Sequence, residues 1–469
     1  MAAGVAFKYS CSRYISSPEW ASLPLLPVFF ILDNLFEPID HVSFAAVCKQ
    51  WRSLSKDYNQ ATQRWRHNNL LPMLLIPNEY ECQGGGGGKN SRLLTKTNHR
   101  KALYSIAEGK IYNNIGLEVP FKKRSCGSSH GWFATIEFVT DQGPIIALRD
   151  PFRNPASPIL LPLLDVRPTK RNPASPILLP LLDVRPTKQD ICFFEFCIRK
   201  VILSADPVLN PDNYIVVAVF RRSNNILAFI HMKRGQSQKD WSWIRTPRPV
   251  MDAISYKNQI YLVGYQGDIM SLDVDDQACS RIRIKPLTPL FEYQGDIMSL
   301  DVDFRTCRST RYLVESTKGD LMHIERVCKQ TQGAYKNVMT ESFRVYKAVF
   351  DDKDGSILQQ VEVKSIGDDV FFIGDNHSVS VLTSDFHGCQ SNSIYYTHDF
   401  SSSYYKNQYY LGDNFHADKL YDDMPCRDMG IFNLESGTIT QHFSLDPYSD
   451  LQGYIPPAVW VVPQFNGLC

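Results

Sequence analysis

Two periodicities divide the chain. Between residues 20 and 65 apolar positions recur at helical spacing, and beyond about residue 100 they come in short runs broken by turn residues. Val28, Ile31, Leu32 and Leu35 fall at i, i+3, i+4 and i+7, one apolar stripe on a helix. Pro24 suits the first turn of that helix, where a missing N–H is no loss. A second stripe follows at Phe44, Val47, Cys48 and Trp51, with Asp40 or Ser43 placed to cap its start. A third, polar-faced stretch runs from about Tyr58 to Trp65. Three short helices in so few residues bury little by themselves, so such a unit gains from a partner surface.

Gly84–Gly88, flanked by polar and basic residues through Arg100, cannot hold regular structure cheaply and reads as a linker or loop. Beyond it the pattern shifts to hairpins. Tyr214–Phe220 and Ile226–Met232 flank Arg-Arg-Ser-Asn-Asn, and Ile260–Gly264 and Ile269–Val274 flank a Gln-Gly-Asp turn. Four more pairs follow: Arg311–Ser316 with Leu321–Val327, Phe343–Phe350 with Ile357–Val363, Val370–Ile373 with Val379–Thr383, and Gly430–Leu434 with Ile439–Phe443. A long series of hairpins with no helical pattern between them predicts an all-β fold, at this length a propeller or a large sandwich.

Two segments recur letter for letter. Residues 153–170 reappear as 171–188, and 265–275 reappear as 293–303. Propeller blades repeat at about 40–50 residues and share only a few anchor positions, so these are tandem duplications of another kind, or errors in assembling the coding sequence. A fold with one place for each segment must loop out one copy, the Pro-rich 18-mer above all.

Composition narrows the function classes. The 469 residues are 43% hydrophobic and 12% aromatic, and 50 basic residues against 49 acidic ones leave a formal charge of +1. That is a folded chain without the clustered basic surface that nucleic acid or anionic lipid requires. Twelve cysteines form no CxxC pair, and Cys192 and Cys197 stand in an apolar run, so no zinc site is expected. The N-terminal residues have no continuous apolar stretch of signal-peptide length. The longest apolar run, Leu23–Leu32, is about half a bilayer span and holds two prolines. Reduced thiols in a cytoplasmic or nuclear setting, no membrane and no cofactor are the expectation, which makes the sequon at Asn376 a chance match.

The motifs that resemble chemistry have the wrong surroundings. Gly127-Ser128-Ser129-His130-Gly131 fits G-x-S-x-G, in which the serine sits on a strained turn from a strand into a helix. Here a polar, basic stretch precedes it and Trp132–Val139 alternates like a strand, so a plain turn is expected and a hydrolase using Ser129 is the outlying alternative. Gly84–Lys89 lacks the spacing and the hydroxyl of a phosphate-binding loop. Asp352-Lys353-Asp354-Gly355 would place Phe350 and Val361 at the end positions of a calcium loop, so it too reads as a turn. His377, His387 and His398 sit on separate predicted strands or loops. No catalytic or metal-binding set is expected.

The helical segment resembles an F-box. The resemblance rests on Trp20-Ala21-Ser22-Leu23-Pro24, the stripe ending at Leu35, then Asp40, Phe44, Ala46-Val47-Cys48-Lys49 and Trp51-Arg52-Ser53, in order and without gaps. The remainder is similar to the KIB-type β-propeller of a large plant F-box family. Residues 127–132, 154–164, 312–324, 343–350 and above all 366–399 carry that likeness. It differs from the family at Leu26 and Pro27, where an acidic then an aliphatic residue is usual, and at Phe29 and Phe30, which replace polar positions. Pro27 is compatible with the helix within its first turn.

The resemblance implies a mainly β protein, a propeller of six or seven blades behind a small N-terminal all-α F-box. The expected layout is a tail at 1–18, the F-box at 19–66, a linker at 67–100 and the propeller at 101–469. It further implies a non-catalytic substrate receptor that docks on the Skp adaptor, and through it a cullin ubiquitin ligase, while the propeller holds a protein substrate. The adaptor-facing candidates are Leu23, Pro24, Val28, Ile31, Leu32, Leu35, Val47 and Trp51, some of which must instead hold the F-box together. The alternative is a propeller interaction protein that engages no ligase.

Overall fold

A computed structural model describes residues 23–35, 37–62, 70–77, 101–112, 125–139, 143–150, 158–162, 198–220, 226–232, 241–274, 282–287, 309–330, 338–386, 388–398, 428–441 and 458–463. They fall into two units divided between His67 and Asn68. The expected tail, the glycine run, Cys192, Cys197, His387 and the second copy of each duplication lie outside the described residues.

The smaller unit holds helices α1 (Leu25–Asp33), α2 (Pro38–Ala46) and α3 (Lys49–Thr62). The single stripe expected from Phe44 to Trp51 is split: α2 ends at Ala46 and α3 begins at Lys49. Phe44 and Trp51 therefore sit on different helices, and they meet face to face across the junction with ring centroids 4.3 Å apart. Neither expected cap serves α2. Glu37 is its N-cap and Pro38 its first helical residue. Asp40 lies in the first turn, beside the positive end of the helix dipole, and the Ser43 hydroxyl donates back to the Ile39 carbonyl at 3.0 Å. The polar stretch near Tyr58 is the second half of one 14-residue helix that starts at Lys49, nine residues earlier than expected.

In the larger unit the described strands form six sheets, the blades of a propeller. Blades 2, 3, 4 and 5 are antiparallel four-stranded meanders beginning with Ser125–Ser129, Ile198–Leu203, Val250–Tyr256 and Ser309–Glu315 respectively. These first strands contact one another in succession. Side-chain bonds show that they also run in one direction: Ser129 Oγ donates to Leu203 O, Ser255 Oγ to Ser204 O, and Tyr256 OH to Gly319 O. The turns that follow them, at 130–131, 204–213, 257–258 and 316–320, consequently share one rim.

Blades 1 and 6 depart from the meander. Blade 1 closes the ring: Val459–Val461 pairs with Met73–Pro77, which in turn pairs with Lys101–Ser105. Met73–Pro77 falls inside the expected 67–100 linker, so the propeller starts upstream of residue 101. In blade 6, Val379–Leu382 folds back beside Ser309–Glu315, and Asp369–Ile373 pairs in parallel with Ser393–Tyr396.

The core lies between blades. In Tyr214–Phe220 the residues Tyr214, Val216, Ala218 and Phe220 pack toward blade 2, while Ile215, Val217 and Val219 pack toward blade 4. A strand covered on both faces needs no polar alternation, which is why it reads as a continuous apolar run. A buried ion pair also crosses the seam between blades 3 and 4. Lys200 of blade 3 pairs with Asp252 of blade 4, whose second carboxylate oxygen accepts the Leu313 N–H of blade 5 at 2.9 Å. Burial raises the Asp252 pKa, and Lys200 and that N–H act against the rise.

Candidate interaction surfaces

In α1, Pro24 is the N-cap and Pro27 the third helical residue, so neither removes a hydrogen bond the helix needs. Asn34 ends the helix, its N–H on Ile31 O at 3.1 Å and its amide on Phe30 O at 2.7 Å. Val28 and Leu32, one turn apart, are fully buried against Phe44 and Tyr58. Tyr58 also donates to Asp33 Oδ1 at 2.6 Å, and Phe29 meets its ring edge-on at 5.2 Å. His41 donates its Nε2–H to Leu35 O at 3.0 Å, and Arg52 Nε donates to Ala45 O at 3.3 Å. These bonds tie the three helices into a small unit with a four-residue core.

The structure divides the sequence candidates into three groups. Val28 and Leu32 are interior, so they hold the unit together and cannot touch another protein while it stays folded. Leu23, Ile31, Leu35 and Trp51 are half-buried around that core. Pro24 and Val47 are exposed, Val47 by 62% as the C-cap of α2. The most exposed apolar side chains were outside the expected set. Leu26 is 79% and Phe30 70% exposed, one turn apart on α1, and Leu25 and Val42 are exposed as well. One signal for them was present: LLPVFFILD has a single polar residue in nine, too apolar for a helix that buries only one stripe. Burying a side chain such as Leu26 or Phe30 against a partner is worth about 1.5–3 kcal/mol.

On the propeller rim, the G-x-S-x-G segment is a seam between blades 2 and 3. Ser129 ends a strand and pairs with Trp132 across a two-residue turn, so the chain runs from strand to strand with no helix following. The Ser129 hydroxyl is buried and donates to Leu203 O at 3.2 Å. Trp132 Nε1 donates to Asp206 Oδ1 at 3.1 Å, and the same oxygen accepts the Val208 N–H at 2.9 Å. Gly127 lies so close to blade 3 that a Cβ there would stand 2.5 Å from Val201 O, leaving room only for glycine. The fixed loop presents Val208 and Leu209 outward, 52% and 63% exposed. Thr317 and Asp369 bond in the same manner between blades 5 and 6.

Asp351–Ser356 is the hairpin turn expected from its sequence, with Lys353 N–H on Asp351 Oδ1 at 2.8 Å. Among the described residues no three His, Cys, Asp or Glu side chains converge as a metal site would require. Among the same residues no helix is long and apolar enough to cross a membrane.

Six blades closed by strand exchange between distant parts of the chain, together with a three-helix unit showing an apolar ridge, describe an F-box protein with a propeller. Comparison with known families agrees. The KIB1-4 beta-propeller model matches residues 103–433 and the F-box domain model matches residues 20–60. The chain belongs to the KIB1-4 β-propeller family and carries an F-box. Among curated relatives, it is 22% identical to the F-box protein SKIP23 of Arabidopsis thaliana over 94% of this chain and 95% of that one. It is 21% identical to the Arabidopsis F-box protein At4g35733 over 84% of this chain and 92% of the relative. A shorter match, 25% identical, spans 34% of this chain and 43% of the Arabidopsis F-box protein At2g26160.

Proposed function

We propose that the chain is the substrate-receptor subunit of a Skp–cullin–F-box ubiquitin ligase. In this reading the helical unit docks on the Skp-type adaptor, and the propeller rim holds a protein substrate while catalysis belongs to other subunits. The observation that carries the reading is the ridge of Leu26 and Phe30, exposed one turn apart on α1 beside exposed Leu25, on a unit whose own core is already filled by Val28, Leu32, Phe44 and Tyr58. Side chains of that size left in water beside a completed core are what a hydrophobic interface with another helical protein requires. On the rim, Val208 and Leu209 are the apolar anchors for a substrate, held rigidly by Asp206.

The test is co-purification of the full chain with a Skp-type adaptor, for the parent and for Leu26→Ser with Phe30→Ser. The double variant is expected to keep its helical circular dichroism and lose at least about tenfold in adaptor affinity, the equivalent of 1.4 kcal/mol. Unchanged binding in that variant removes the ridge as the docking surface. Failure of the parent to bind favours a propeller interaction protein outside the ligase.

A further inference from the structure

The outer edge of blade 2 is a binding slot for a short segment of the chain itself. Its present occupant is Pro158–Pro162. Ile159 and Leu160 pair with Leu148 and Ala147, and the Leu161 N–H reaches Ile146 O at 2.9 Å. Leu161 is buried in the seam between blades 2 and 3, Ile159 is half-buried beside it, and Leu160 points to solvent. Trp241 of blade 3 closes the slot by donating Nε1–H to Pro162 O at 3.0 Å. All of this recognition is directed at Pro-Ile-Leu-Leu-Pro, and the same five residues recur at Pro176–Pro180.

We propose that the slot has two occupants within one chain, Pro158–Pro162 and Pro176–Pro180, that exchange in it. The slot has no chemical means of telling them apart, so the chain connections decide. Eight residues join Arg149 to the first copy and 35 join that copy to Ile198; for the second copy the connections are 26 and 17 residues. Loop-closure entropy scaled by those lengths favours the first copy by only about twofold. Exchange is also local, because an edge strand has a pairing partner on one side only. The other duplication lacks this freedom. Its first copy supplies Ile269–Val274, an interior strand paired on both sides with Gln259–Gly264 and Ile282–Pro286. Residues 293–303 lie beyond the second of those partners in the chain, so they could not take that place without re-pairing the blade. Exchange at blade 2 would alter which of its two connections is long, without altering the blade.

Four full-length proteins test the proposal: the parent, Leu161→Asp, Leu179→Asp and the double variant. Each single variant is expected to unfold within about 1 °C of the parent, and the double variant at least about 3 °C lower. A synthetic peptide Pro-Ala-Ser-Pro-Ile-Leu-Leu-Pro-Leu-Leu should restore the lost midpoint in the double variant. If that variant does not fold, Leu161→Ala, Leu179→Ala and their combination are read in the same way. The idea is overturned if Leu161→Asp alone matches the double variant, if Leu179→Asp alone is as damaging, or if the double variant loses nothing. A concentration-dependent dimer in either single variant, seen by sedimentation, also overturns it, since the slot is then filled from a second chain.

Discussion

Two nearly continuous apolar segments meet opposite fates. Tyr214–Phe220 hides every residue, whereas α1, eight of whose nine residues are apolar, hides only Val28 and Leu32. The strand finds a packed neighbour on each face because a blade stands between two others. The helix finds α2 and α3 on one side and leaves Leu25, Leu26 and Phe30 in water. Equal hydrophobicity thus marks a finished interior in one unit and an unfinished surface in the other. The propeller goes further and encloses charge within its seams, so removing one partner of a buried pair strands the other inside it. The helical unit rests on a few side chains.

The sharpest way to break this contrast is at Arg326, which is 1% exposed. Its guanidinium donates to Thr340 Oγ1 (2.8 Å), Tyr312 OH (3.2 Å), Thr397 O (2.9 Å) and Asp428 Oδ2 (2.9 Å), and it lies 4.7 Å from the Tyr396 ring centroid. Arg326→Ala leaves Asp428 buried without its cation and should cost about 3–5 kcal/mol in a denaturant titration. Hydrogen exchange read by region should show the loss in blades 5 and 6 while α1 keeps its protection. Equal loss in α1 would mean that the two units do not stand on separate cores.

The converse variant is Leu32→Ala. Truncating a fully buried leucine costs about 2–5 kcal/mol, and a core of four buried side chains has little to spare. The expected outcome is loss of exchange protection across α1–α3, and of adaptor binding with it, while the propeller strands stay protected. Leu26→Ala on the same helix should change stability by no more than about 0.5 kcal/mol, since Leu26 packs on nothing it would lose. Similar destabilisation by both would refute the division into interior and outward-facing residues.

Much of this contrast was legible in the sequence, and the illegible parts share a cause. Hairpins such as Tyr214–Phe220 with Ile226–Met232 were found to the residue, because their partners are neighbours in the chain and a turn signal separates them. Met73–Pro77 was placed in a linker because its pairing partner is Val459–Val461, and no local pattern reports a partner so remote. The parallel pairing of Asp369–Ile373 with Ser393–Tyr396 was missed for the same reason, a returning strand standing between them in the chain. On α1, spacing identified the stripe containing Val28 and Leu32, but a helix apolar all round has no polar face to orient it. Periodicity alone could not separate residues that hold the fold from residues that face outward.

The smallest effect tests the polar side of the comparison. His323 is buried in the seam between blades 4 and 5, stacked on Tyr346, with Nε2 3.2 Å from Arg311 Nη1. Because Arg311 donates, Nε2 accepts, and the proton sits on Nδ1, which donates to Gln360 Oε1 at 2.7 Å. Gln360 passes the link to Gly267 O of blade 4 at 2.7 Å, and Glu325 holds Arg311 at 2.8 Å. Burial, and then the Arg311 charge, hold the His323 pKa down at about 4 against 6.5 for the free side chain. Between those values the unfolded chain binds a proton that the folded one refuses. The stabilisation is therefore whole above pH 6.5 and falls as the pH drops toward 4. At pH 5 the loss attributable to His323 should be about 2 kcal/mol. Burial also lowers His377, to about 3, and acts in the same direction, so the measurement must be a difference. Unfolding of the parent and of His323→Gln at pH 7 and pH 5 supplies it: the variant should lose less stability on acidification. Equal losses would show that the seam tolerates a charged imidazole, and that the propeller's enclosed polar contacts are less demanding than its geometry implies.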